Sequence, residues 1–301
     1  MSFTSVVKDE ISKIKRSKAE NISELSGIIG SYPKGQNNIL FTTENNSVAR
    51  RIYTLLKELF NIHPKITIRK GYNFNKKLLY ILEVKQNTEN ILKTLGVGET
   101  PKEFCIADDE LIRAYLRGVF MMNASINDPK TSRYHLEFNL NNEKYAKFIC
   151  DLLNKYNLNA KTLHRENKYM VYIKEAEKIG DFLRIMDTTR AVLYYEDIRI
   201  YRDHKNMTNR LNNCEQANVD RIIDTANAQI KDINLIKKTY GIDFLNENEQ
   251  IAAIYRLKYP DTSLTELSEI ISIETNKQIT KSGLYHRFHK IKEIANKIRE
   301  K

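Results

Sequence analysis

The side chains best placed to act on another molecule lie near the C-terminus, in the run KSGLYHRFHKIKEIANKIREK. Leu284, Phe288, Ile291 and Ile294 recur at helical spacing and should turn inward. Thr280 stands where an N-cap belongs, its oxygen free to close the first turn. Thr280, Lys281 and Ser282 then occupy a helix N-terminus, where free amides favour a phosphate. Tyr285, His286 and His289 share the outward face near that end, the position from which base edges are read. Arg287 and Lys290 suit either bases or backbone. From Lys277 to Lys301 there are eight Lys or Arg against two Glu, net +6. A solvated basic helix would carry the same charge, but cap, charge and helix order together favour double-stranded DNA as the partner.

These residues need a scaffold, and the preceding sequence supplies one. Asn246 caps a helix containing Ile251, Ala252, Ile254 and Leu257, ended by Pro260-Asp261. Ser263 and Glu266 form a capping-box pattern ahead of Leu264, Leu267, Ile270 and Ile271. A turn over Ser272 to Ile279 leads to the basic helix. The spacing predicts a helix-turn-helix across 263–297 within a domain of 246–301. Upstream, Ile222, Ile223, Ala226, Ile230 and Ile233 predict one helix over 219–239, capped by Asn218 and stopped by Gly241. It falls in a helical linker, 206–245. Tyr194 to Met207 reads as a strand or loop.

Composition narrows the classes of function. The 301 residues carry a net charge of +11, which favours a polyanionic partner. Cys105, Cys150 and Cys214 are far apart and form no CxxC, so reduced, structural thiols are expected, with Cys150 in the core. The six histidines form no HExxH or comparable set. Gly96-Val97-Gly98 lacks a P-loop lysine and reads as a helix stop. No cofactor, no metal and no small-molecule substrate are expected. The start, MSFTSVVKDEISKIKR, lacks an apolar signal run, and no segment approaches a membrane span, so a cytoplasmic, nucleoid-associated protein is expected.

The first 205 residues show an internal duplication. Leu116-Arg117-Gly118-Val119-Phe120, inside LIRAYLRGVFMMNA, repeats Leu25-Ser26-Gly27-Ile28-Ile29. A glycine costs a helix about 1 kcal/mol against alanine, so each is understood if a second backbone must come close. With a shift of 97, Ala49, Ile52, Leu55 and Leu56 fall on Ala146, Ile149, Leu152 and Leu153. Each half, about 1–100 and 101–205, reads helix, strand, helix, strand, strand, helix. Ile66 and Ile68 should face the core, with Lys65, Thr67 and Arg69 opposite and a turn over Gly71 to Asn75. Tyr134, Leu136, Phe138 and Leu140 alternate with Arg133, His135, Glu137 and Asn139. Residues 5–18 predict an amphipathic helix. Its cluster Lys13-Ile14-Lys15-Arg16 reads as a solvated face, with phosphate contact as the alternative. The fold class is α+β: a duplicated α-β domain, then a small all-α domain.

Paired spine helices, each heading an α-β repeat, resemble the LAGLIDADG fold of homing endonucleases. In that family the acid at the foot of the spine helix holds the catalytic metal. Laid on this chain, those positions are Tyr32 and Asn123, neither acidic. A hard divalent cation that activates water needs carboxylate oxygens. Asp128 is nearby, but Asn127-Asp128-Pro129 reads as a turn. The resemblance therefore implies a degenerate, non-catalytic domain. With NRLNNCEQANVDRIIDTANAQIKDI and the run Lys281 to Arg287, the whole chain resembles the WhiA family. That resemblance implies a bacterial DNA-binding regulator of cell division and chromosome segregation, or of sporulation, acting in transcription, with other transcription or division proteins as partners. An active metal-dependent homing endonuclease is the alternative, and an N-terminal domain serving as a protein scaffold is a third.

Overall fold

The protein is described by a computed structural model covering residues 2–30, 38–70, 78–131, 133–165 and 168–300. The expected turn over Gly71 to Asn75, and Tyr32, lie outside these residues. The chain divides into two compact units, Met1–Arg202 and Asp203–Lys301.

In the first unit, α1 (Phe3–Ile11) precedes two repeats. The first holds α2 (Lys18–Ile29), β1 (Ile39–Thr43), α3 (Asn46–Phe60), β2 (Lys65–Lys70), β3 (Leu78–Val84) and α4 (Thr88–Thr94). The second holds α5 (Asp109–Asn123), β4 (Ala124–Ile126), β5 (Leu136–Leu140), α6 (Glu143–Asn154), β6 (Lys161–Arg165), β7 (Lys168–Ile173) and α7 (Ala176–Ile185). This is the expected order in both halves, with β4 added. The sheets are antiparallel, ordered β1-β3-β2 and β4-β5-β7-β6.

The spine is α2 against α5. A β-carbon added to Gly118 would overlap the Glu24 carbonyl oxygen and lie 2.8 Å from the Ile28 nitrogen; one on Gly27 would overlap the Tyr115 carbonyl oxygen. The two glycines therefore let backbone approach backbone. Ser17 and Glu20 start α2 with a reciprocal capping box, and Asp108 caps α5 at the Leu111 amide, 2.8 Å away. One core joins both halves, including Leu25, Ile52, Leu56, Leu116, Phe120, Phe138, Ile149 and Leu153. Cys105 and Cys150 are buried; Cys214 is exposed.

Four expectations need correction. Helix α8 runs unbroken from Thr189 to Thr239, so Tyr194 to Met207 is neither strand nor loop and Asn218 caps nothing. The stretch contains neither glycine nor proline, and side-chain bonds along its surface, such as Gln216 to Asp220 at 2.9 Å, fit a continuing helix. Its true start is capped from afar: the Glu10 carboxylate accepts the Arg190 and Ala191 amides at 2.9 and 3.0 Å. Second, Ile66 and Ile68 share a face with Leu82 and Tyr80 but remain 49% and 57% exposed. They lie on an edge strand, and the helix layer does not cover that edge. Third, the lead-in helix stops at Ile11, so Lys13, Lys15 and Arg16 lie in the link between α1 and α2 rather than on a helix face. Fourth, the C-terminal turn is shorter than expected, because Ser272 to Thr275 still belong to the helix before it.

In the second unit α8 is followed by α9 (Glu247–Lys258), α10 (Leu264–Thr275) and α11 (Lys281–Arg299). Asn246, Ser263 and Thr280 cap these helices as expected. Their core is Ala252, Leu267, Ile271, Leu284, Phe288 and Ile291, joined by Ile233 and Ile236 of α8 and by Leu245. The end of the expected linker is thus part of this core.

Candidate nucleic-acid interface

Helix α11 is held on three sides. Leu284, Phe288, Ile291 and Ala295 are buried along one stripe. Asn276 adopts the left-handed conformation, φ 51°, and ends α10. Ser272 then pins the turn, its Oγ accepting the Ile279 amide at 2.9 Å and donating to the Ser268 carbonyl at 2.7 Å. Thr280 Oγ1 accepts the Gly283 amide at 3.1 Å. At the far end Arg299 donates to Asp232 of α8 at 2.6 Å.

The exposed face follows from 100° per residue. Ser282, Tyr285, His286 and His289 are exposed and turned away from the buried stripe, while Lys281, exposed in the first turn, lies on the same side of the helix as Leu284 and Phe288. Tyr285 is 55% exposed, with His286 and His289 rings 5.9 and 6.4 Å from its own. His289 also meets Glu293 at 3.3 Å. Lys290 is exposed on the flank. Arg287 is placed differently: it lies some 200° round the helix from Tyr285, half-buried, with its Nη1 on the Asn248 carbonyl at 3.4 Å. Thr280 is exposed, but its hydroxyl already closes the cap. The first turns of α11 thus expose two hydroxyls, an ammonium, a phenol and two imidazoles to solvent.

Sequence reasoning missed Arg256, which sets this geometry. It is 1% exposed, its guanidinium over the Phe288 ring at 5.5 Å, donating to Gln229 at 2.9 Å and the Thr262 carbonyl at 2.7 Å. Burial lowers its pKa. It ties α8 and the α9–α10 turn to α11. Nothing in the spacing of an arginine inside an apolar helix pattern marks such a role.

The spine foot at Asn123 looks different. Asn123 ends α5 and lines a cavity of about 160 Å³ with Ile28, Phe41, Met122, Asn141 and Tyr145. No carboxylate is among the described residues lining it. Asp128 is used in the turn, its Oδ1 accepting the Lys130 amide at 2.9 Å. Among the described residues no three His, Cys, Asp or Glu are grouped to hold a metal ion. On the outward face of the second sheet Glu137 accepts from Ser125 and Asn139 and meets His135 at 3.1 Å, so this carboxylate is tied within the sheet. No helix among the described residues is long and apolar enough to cross a membrane.

Comparison with known proteins agrees with this arrangement along the whole chain. Residues 19–98 match the WhiA N-terminal LAGLIDADG-like domain, 112–205 the WhiA LAGLIDADG-like domain and 208–295 the WhiA C-terminal HTH domain. The probable cell division protein WhiA of Enterococcus faecalis is 41% identical over 313 residues, covering 100% of this chain and 99% of that protein. The protein of the same name from Ligilactobacillus salivarius is 41% identical over 311 residues, covering 99% and 98%. Among solved structures, full-length DUF199/WhiA from Thermatoga maritima superposes with a TM-score of 0.59 at 27% identity, covering 99% of both chains. The N-terminal LAGLIDADG domain of DUF199/WhiA gives 0.53 at 26%, covering 62% of this chain and 90% of that one. With these matches spanning the chain from end to end, the chain belongs to the WhiA family.

Proposed function

We propose that this protein is a DNA-binding regulator of bacterial cell division and chromosome segregation, acting as a transcription factor and without catalysis. The observation that carries the reading is the solvent face of α11, where Lys281, Ser282, Tyr285, His286 and His289 gather at a capped helix N-terminus. The division-protein name of the relatives and the helix-turn-helix match support the cellular role. In this reading Lys281, Ser282 and Thr280 meet phosphate, Tyr285, His286 and His289 face base edges, and Lys290 reaches the backbone beside them. Arg287 contributes to the site by bracing α11 against the start of α9. The duplicated domain, 1–205, serves as platform, and the protein works at the nucleoid in the cytoplasm. The neutral foot at Asn123 supports the absence of nuclease chemistry.

The test is fluorescence anisotropy of the full chain on duplex DNA over a salt series. Tyr285→Ala/His286→Ala should weaken binding roughly tenfold or more, the scale of one lost base contact. Lys281→Ala should lower the salt slope by about one. A folded double variant with unchanged affinity would overturn the assignment. Supercoiled plasmid with Mg²⁺ decides the catalytic alternative: cleavage by wild type that disappears in Asp128→Ala would establish an active endonuclease.

A further inference from the structure

A second concave site lies in the first unit. The link between α1 and α2, residues 12–17, faces α3 across a cleft of about 500 Å³. Helix α3 covers the inner side of the first sheet through Val48, Ile52 and Leu55, so the cleft is remote from that sheet's outward face.

Five cationic side chains line the cleft, and two are already committed. Arg51 is buried and bidentate to Glu24, at 2.7 and 2.9 Å. Arg16 reaches Asp187 and Glu20. Lys13, Lys15 and Arg50 have no anionic partner among the described residues, and the one carboxylate among the described lining residues is Glu58. Three cations against one acid leave a surplus of two positive charges. The floor adds a donor. Asn21 is 7% exposed and accepts Arg51 Nη2 on its Oδ1 at 2.8 Å, while its amide N–H groups have no partner among the described residues. The hydroxyls of Ser47 and Thr54 border it on α3. The Asn21 Nδ2 is not sealed off from solvent, so it can donate to an anion held in the cleft.

We propose that this cleft binds a phosphate-bearing anion about the size of pyrophosphate, held by Lys13, Lys15 and Arg50 and accepting from Asn21. The surplus of two charges suits a dianion or higher, whereas each phosphodiester of a nucleic-acid backbone carries one. A concave cleft admits a terminal phosphate or a free phosphoanion more readily than a convex duplex. The same chemistry could still be presented by DNA, so the experiment separates the two sources.

Sodium pyrophosphate is titrated into the full-length protein by calorimetry at fixed ionic strength, with sulfate as the control anion. Saturable binding tighter than that of sulfate is expected. Arg50→Gln and Lys13→Gln/Lys15→Gln should each weaken it about tenfold or more, the scale of lost charge-assisted hydrogen bonds. Tyr285→Ala should leave it unchanged, and both cleft variants should keep wild-type affinity for duplex DNA. These three side chains are exposed, and a thermal melt verifies that the variants fold. Heats no larger than those of sulfate, or undiminished binding in the variants, would overturn the proposal. Displacement of pyrophosphate by duplex, with loss of DNA affinity in the cleft variants, would overturn it too, by assigning the cleft to the DNA footprint.

Discussion

Gly118→Ala puts the central crossing to a quantitative test. The gain is helical propensity, about 1 kcal/mol in favour of alanine. Against it stands the new methyl group, which would overlap the Glu24 carbonyl oxygen and come within 2.8 Å of the Ile28 nitrogen. Both obstacles are backbone, so no side chain can swing aside, and α2 must withdraw from α5. Overpacking typically costs 1–3 kcal/mol and sometimes more, and a backbone obstacle places this site near the upper end, about 3 kcal/mol. The net effect is a loss of about 2 kcal/mol, or roughly 4–8 °C in the midpoint of a unit of this size. The assay is thermal unfolding followed by circular dichroism on the full chain. Gly283→Ala is the matched control, since its methyl group meets only Thr280 Oγ1, at an ordinary 3.4 Å. That variant should stabilise the C-terminal unit by about 0.5–1 kcal/mol. An unchanged or raised midpoint for Gly118→Ala would refute the close crossing.

Two further variants probe buried charge. Arg117 is 1% exposed between α2 and α5, donating to Glu20 at 3.3 Å and to Asp187 at 3.1 Å. Asp187→Asn removes one of its two anionic partners and should lower the urea midpoint by the equivalent of about 1–2 kcal/mol, because a buried arginine is left under-compensated; no change would show that Glu20 alone suffices. Burial pushes the Lys8 pKa down to about 8, with nearby Glu44 opposing. Above that pH the folded state has released this proton while the unfolded lysine, near 10.4, retains it. The Lys8 contribution to stability should therefore rise with pH from about 8 towards 10, by about 1–3 kcal/mol. Burial raises the Cys105 and Cys150 thiols, whose ionisation in the unfolded state opposes the rise over the same range, so the measure is the stability of wild type minus that of Lys8→Met: it should grow between about pH 8 and 9.5, and a flat or falling difference would refute the reasoning. Higher pH acts in the opposite sense: burial raises the Tyr115 and Tyr145 phenols, so the unfolded state ionises first and stability falls above about 10.

What could be read from sequence was local or periodic. The caps at Asn246, Ser263 and Thr280 depend on a few neighbouring residues, and each forms as expected. The duplication was visible because Gly27 and Gly118 must repeat for two backbones to touch, and because Ile52 and Ile149 must repeat to fill one core. Helix α8 was misread because its polar middle has no apolar stripe, and a helix cap supplied by Glu10 from the other end of the chain leaves no mark near Thr189. The exposure of Ile66 and Ile68 was hidden because alternation shows which face a residue shares, not whether anything covers that face. The basic cleft failed to emerge for a similar reason. Lys13 and Lys15 are partnered with Arg50 only by the crossing of the link and α3, a contact between segments some thirty-five residues apart.

The two halves agree at the spine glycines and in the shared core, and diverge beside the spine and on the uncovered edge. Gly27 answers Gly118 and Ala49 answers Ala146, yet the position of Ser26 is filled in the second half by Arg117, which binds Glu20 and Asp187. On the uncovered edge, Ile66 and Ile68 of β2 contrast with Thr162 and His164 of β6 on the matching face. Packing restrains the interior because a misplaced methylene is felt there, whereas an edge strand can change chemistry at little cost. The cavity at Asn123 opens beside the half-buried spine foot and carries neutral amides among largely apolar walls. The unpaired cations lie outside it, on the link before α2, on α3 and along α11. In the reading proposed above, the protein meets nucleic acid through this exposed charge; affinity should then fall steeply with salt, and losing a cation from α11 should change that slope while leaving the spine intact.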